Sequence, residues 1–109
     1  MQGISVVELD ERRRSGDSVV VIDVREPMEL AIASIPDTVH VPMNDVPGRL
    51  DEIRALADND KDVVVMCHSG HRSMMVARFL QQNGLERVLN LTGGIDAWSR
   101  EVDPNVATY

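Results

Sequence analysis

The chain has 109 residues, 43% of them hydrophobic and 27% charged, which suffices for one compact domain spanning residues 1–109 and excludes a second. Folding at this size buries roughly 65% of the surface that the unfolded chain exposes, so neither a disulfide nor a metal is required to hold the fold; Cys67, the only cysteine, offers no disulfide framework, no Cys-rich zinc site and no internal thiol to resolve an oxidised sulfur. Eighteen acidic residues against eleven basic ones give a formal charge of −7, which repels phosphate backbones and argues against nucleic-acid binding.

Met1 to Glu11 contain neither a basic n-region nor a long apolar stretch, and the longest apolar run, Val63 to Cys67, is too short to span a bilayer. A soluble chain with no membrane partner is expected, cytoplasmic, or periplasmic if a signal peptide has been removed. In chain order, Gly3-Ile4 reads as a minimal strand. Ser5 and Glu8 have the capping-box spacing and open a helix that ends before Gly16. Residues 18–24 are dense in Val and Ile, as are residues 62–67, and both read as strands apolar on two faces, the pattern of a parallel sheet covered on each side. Pro27, Pro36, Pro42 and Pro47 predict short elements and turns between them, with a brief strand at Thr38 to Val41. Leu50, Ile53 and Leu56 recur at helical spacing within a helix predicted from Val46 to Ala57. Another helix is expected from Ser73 to Asn83, stopped by Gly84 with Leu85 packing back. A strand at Arg87 to Leu91 and a short helix from Ile95 to Arg100 complete an α/β domain: a small, mainly parallel sheet flanked by helices on both faces.

The string Met66-Cys67-His68-Ser69-Gly70-His71-Arg72-Ser73 leads from a buried strand through a polar loop into a helix. Parallel sheets place ligands at the carboxyl ends of their strands, and the free N–H groups of the following helix favour an anion there. Here that anion is the Cys67 thiolate itself. A loop of this length can curl so that successive amides converge on the sulfur, with Gly70 supplying the positive φ that such a nest needs. His68, His71 and Arg72 add cationic or hydrogen-bonding groups, and Ser73 is placed to cap the helix. Each contribution lowers the thiol pKa toward the nucleophilic form. A lone cysteine closing a Val-rich strand otherwise reads as an inert core residue; the polar composition of the next five residues tips the reading toward chemistry.

Four stretches in order resemble a single-domain rhodanese, a member of the thiosulfate sulfurtransferase superfamily. They are Ile22 to Leu30, Ile35 to Pro42, the Cys67 to Ser73 loop, and Gly93-Gly94-Ile95-Asp96-Ala97-Trp98. The resemblance implies a rhodanese-like fold and an enzyme in which Cys67 carries sulfane sulfur as a persulfide. The amides of His68, Ser69, Gly70, His71, Arg72 and Ser73 would cradle it, with Arg72 helping to bind a small anionic donor such as thiosulfate. The acceptor would come from outside: cyanide in an assay, a thiol or protein cysteine in the cell. No cofactor or metal is implied, and a monomer or weak dimer is expected. Asp23 and Arg25 are expected to give structural support, tying neighbouring loops together. His40 is expected to be structural, Trp98 to be core, and Met43, Met66, Met74 and Met75 to pack, some of them at the pocket rim. Gly93 and Gly94 are expected to form a tight turn against the loop.

Two departures stand out. Ala33-Ser34 replaces the Gly-His pair common in the family, and His68 and His71 stand where many relatives carry stronger bases, which weakens the field on a dianionic donor. Cys67 and Arg72 are separated by four residues, as in sulfurtransferases, whereas related phosphatases and arsenate reductases have a loop longer by one. That loop length disfavours phosphatase or arsenate reductase activity. The alternative from another class is a non-catalytic interaction module that keeps the fold and uses the loop to bind a partner.

Overall fold

The structure is a computed structural model that describes residues 1–58 and 60–109. Among the described residues five strands form one sheet: β1 (Gly3–Ile4), β2 (Val19–Asp23), β3 (Val39–His40), β4 (Asp62–Met66) and β5 (Val88–Leu91). Their spatial order is β1-β5-β4-β2-β3 and every pairing is parallel. Parallel neighbours need crossover connections, which are supplied by α1 (Val6–Arg14), α2 (Pro27–Ile32), α3 (Leu50–Leu56), α4 (His71–Gln82) and α5 (Gly94–Glu101).

The two-residue period of β4 divides the core. Val63 and Val65 enter a cluster with Ile53 from α3 and Val76, Ala77 and Leu80 from α4. Val64 and Met66 enter the other, with Val6 and Leu9 from α1 and Ile95, Ala97 and Trp98 from α5. Helices therefore cover both faces, and the continuous apolar run of the central strands follows from that double burial.

Local signals explain most boundaries. The Ser5 hydroxyl accepts from the Glu8 amide at 3.0 Å and caps α1. Gly84 takes φ +93° beyond α4, where the Leu85 amide returns to the Leu80 carbonyl and the Gly84 amide to Gln81, both at 3.1 Å. The predicted helix from Val46 becomes two short 3-10 turns, Met43–Asp45 and Pro47–Arg49, before α3 begins at Leu50, because Pro47 is confined to a first turn. The segment read only as turns contains α2. Its signals are Pro27 at the first helical position and a capping box in which Glu26 and Glu29 exchange hydrogen bonds with each other's backbone. Ala33 ends α2 in extended geometry, at φ −156°, so that turn needs no glycine.

Asp23 and Arg25 form an ion pair at the carboxyl end of β2, with both side chains fully buried. Arg25 Nη2 and Nε lie 2.8 and 3.0 Å from the carboxylate, and the Arg25 amide donates to Asp23 Oδ1 at 3.0 Å. The guanidinium also donates to the Ala33 carbonyl at 2.8 Å, fixing the exit of α2, and the Arg25 carbonyl meets His40 Nε2 at 2.6 Å. These bonds tie three segments together. Replacing Asp23 with Ala strands a buried guanidinium without its counter-ion, so urea unfolding of Asp23→Ala is expected to show a loss of about 3–5 kcal/mol.

Candidate active site

The loop after β4 is shaped by a helix that follows it much later in the chain. The amides of Ile95 and Asp96, in the first turn of α5, donate to the carbonyls of Cys67 and His68, each at 3.0 Å. Those carbonyls thus satisfy two of the orphan donors of α5. Gly93 and Gly94 allow the approach: both have positive φ, and a Cβ on Gly94 would lie 2.5 Å from the Cys67 and His68 carbonyl oxygens. With carbonyls held on one side, amides of the loop turn to the other, where the sulfur sits.

The Gly70 amide donates to Cys67 Sγ at 3.1 Å, and Gly70 itself caps α4 at φ +110°. Ser73 was expected to be the cap but is the third residue of the helix, since Gly70 already supplies the turn. From inside the first turn its hydroxyl accepts from the Cys67 thiol at 3.3 Å and donates to Asn90 Oδ1 on β5. Asn90 in turn donates to the Gly70 carbonyl at 3.3 Å, closing a ring from loop to strand to helix. A hydroxyl has one proton, so on ionisation of Cys67 the Ser73 proton is shared between the sulfur and Asn90. Burial pushes the Cys67 thiol up, but the Ser73 hydroxyl and the amides of Ser73, Gly70 and Ser69 outweigh it and leave the pKa below that of an ordinary thiol. Cys67 is 1% exposed and continues the apolar cluster beneath it, yet its sulfur is hydrogen-bonded to the Gly70 amide and the Ser73 hydroxyl.

A second layer of charge surrounds the loop. Arg72, which ends it, places Nη1 and Nη2 on the two oxygens of Glu29 at 2.7 and 2.8 Å. Glu29 Oε1 also accepts from the Tyr109 hydroxyl at 2.9 Å, and that hydroxyl accepts from Arg25 Nη1 at 2.9 Å. The Tyr109 ring stacks on His68, with centroids 4.1 Å apart and planes 14° from parallel. His68 Nε2 is buried and unpartnered among the described residues. His71 is exposed at the first position of α4.

The structure thus brings Cys67, His68, Ser69, Gly70, His71, Arg72 and Ser73 into one loop and helix start, with Asp23 and Arg25 beside them through Tyr109. Of the four methionines expected to pack, Met66 is buried, while Met75 is 60% exposed because it lies on the outer side of α4. Sequence reasoning missed Glu29, Asn90 and Tyr109. Asn90 had a signal, being the one polar residue in Val88-Leu89-Asn90-Leu91, and Glu29 had the capping-box spacing of α2. Tyr109 had none. Among the described residues no group of three or more His, Cys, Asp or Glu could hold a metal ion, and no helix is long and apolar enough to cross a membrane.

The family model described as Rhodanese-like domain matches residues 5–101. A protein of Allochromatium vinosum named Sulfurtransferase is 43% identical over 99 residues, covering 91% of this chain and 89% of its own. A rhodanese-related protein of Thermoplasma volcanium superposes with a TM-score of 0.82 at 30% identity, covering both chains completely. Part of an NAD-dependent persulfide reductase from A. fulgidus is 35% identical over 90% of this chain and 16% of its own, with a TM-score of 0.70.

Ser73→Ala removes the hydroxyl that can turn its proton to the ionised sulfur while leaving the amides in place, so alkylation by iodoacetamide across a pH series is expected to show the thiol titrating at higher pH and reacting more slowly near neutrality. The Arg72 guanidinium, with smaller help from the Glu26 backbone and Tyr109, overcomes burial and holds Glu29 at about 2 against an ordinary value of 4.5. A depressed carboxylate pKa stabilises the fold fully above the unfolded value and loses that contribution as it is protonated. Unfolding free energy measured from pH 6 downward is therefore expected to fall between about pH 4.5 and about 2 partly through Glu29, and Glu29→Gln should flatten that portion of the profile.

Proposed function

Because the chain belongs to the rhodanese-like domain family, we propose that it is a sulfurtransferase that works through a Cys67 persulfide. The observation that carries this reading is the sulfur itself, set among a backbone amide and the Ser73 hydroxyl at the start of α4, in a loop with four residues between Cys67 and Arg72. Such a cradle stabilises negative charge on sulfur with fixed dipoles, which need no reorganisation when the charge moves outward by one atom.

The cycle has two displacements. The Cys67 thiolate attacks the outer, sulfane sulfur of a donor; with thiosulfate the sulfur–sulfur bond breaks and sulfite leaves with the bond electrons. The enzyme is left with a persulfide whose terminal sulfur is anionic. An external nucleophile then attacks that terminal sulfur, and the Cys67 thiolate departs, restoring the start. Cyanide serves in an assay, and a thiol or protein cysteine is the acceptor that suits a cell. Cys67 is the only cysteine in the chain, so the acceptor must be another molecule. The acidic surface favours encounter with a basic partner.

The near-complete burial of Cys67 is the one observation that favours a second reading, a non-catalytic module that binds a partner with the loop. Intact-mass measurement after incubation with thiosulfate or a small-molecule persulfide separates the two. A gain of one sulfur atom, absent in Cys67→Ser and discharged by cyanide, is the expected result. A chain that never gains sulfur from any such donor would leave the module reading in its place.

A further inference from the structure

The cation that closes the loop is already committed. Arg72 uses both terminal nitrogens of its guanidinium on Glu29, in the fork-to-carboxylate geometry that an oxyanion donor would itself need. Glu29 is 15% exposed and fixed from three sides: by Arg72, by the Tyr109 hydroxyl, and by the Glu26 amide that donates to its Oε2 at 2.8 Å. A thiosulfate dianion entering this loop would therefore find the matching guanidinium already neutralised by a carboxylate. An organic persulfide carries at most one charge at its reacting end and has an organic group to lay beside the stacked rings of His68 and Tyr109.

We propose that Glu29 is a specificity-determining residue that occupies Arg72 and so selects organic persulfides over the thiosulfate dianion as the sulfur donor. This rests on the Cys67 persulfide reading and narrows its substrate class. The favoured step conserves charge and needs no oxidant. The Cys67 thiolate attacks the protonated sulfane sulfur of R–S–SH, the bond between the two donor sulfurs breaks, and R–S⁻ leaves with its electron pair. Cys67 is left as the protonated persulfide, and the sulfane sulfur keeps its oxidation state throughout. Discrimination comes from leaving the dianion without a free guanidinium to match its charge, which acts against one donor without any special attraction for the other.

The test is the rate of single-sulfur loading of the purified chain, followed by intact mass with thiosulfate and, separately, with cysteine persulfide as donors. The readout is the ratio of the two second-order constants, which a change in folding or in general reactivity leaves alone. Glu29→Gln keeps the shape of the side chain and removes its charge, and should shift the ratio toward thiosulfate by about tenfold or more. Tyr109→Phe removes one hydrogen bond that fixes Glu29 while keeping the ring, and should move the ratio the same way by a smaller factor; it carries the test if the first variant fails to fold. A ratio that is unchanged or moves toward cysteine persulfide in a folded variant overturns the proposal. Loading of the unaltered chain by neither donor is a different failure, that of the persulfide reading itself.

Discussion

The site depends on two hydrogen bonds made by main chain alone. The first amides of α5 take the carbonyls of Cys67 and His68, which is possible only because Gly94 has no side chain to intervene. Without that docking the loop is free to rotate its peptide groups, and the donors around Cys67 lose their common direction. Buried backbone groups must find partners, so the same requirement that completes the end of α5 also orients the loop. The surroundings of the Cys67 sulfur are thus set by structure that lies more than twenty residues away in sequence.

The sheet makes this docking reproducible. β4 is central, buried on both faces and paired with β2 and β5, so the point at which its chain leaves the sheet is rigidly set. β5 lies beside it and delivers two components: Asn90 within the strand and the Gly93-Gly94 turn just after it. The parallel register aligns carboxyl ends, so residues that follow neighbouring strands collect at one edge. Cys67 after β4, Asp23 and Arg25 at the end of β2, and Gly93 after β5 meet there for that reason.

Around this neutral, dipole-rich cradle lies a charged outer ring in which each group is balanced by a neighbour. Asp23 holds Arg25, Arg25 and Tyr109 share a hydrogen bond, and Tyr109 and Arg72 both reach Glu29. Buried charges are tolerated only when paired, and the pairing is what extends order from the inner core to the exposed mouth of the loop. Its consequence is that Arg72, which ends the loop, is paired as a structural cation, and the groups that lower the Cys67 pKa are amides and a hydroxyl.

Legible in the sequence were the parallel α/β architecture, the strands at Val19 and Val63, the capped first helix, the stop at Gly84, and the position of Cys67 at a strand-to-helix turn. These are legible because hydrophobic period, cap residues and turn glycines act over a few residues at a time. It also carried the four landmarks of a rhodanese-like domain. Only the closed chain shows that Ser73 meets the sulfur from within the helix, that Asn90 takes its proton, and that Tyr109 and Arg72 converge on Glu29. Those are meetings between residues up to 80 positions apart, and no local propensity encodes which distant partner a hydrogen-bonding group will find once the chain closes.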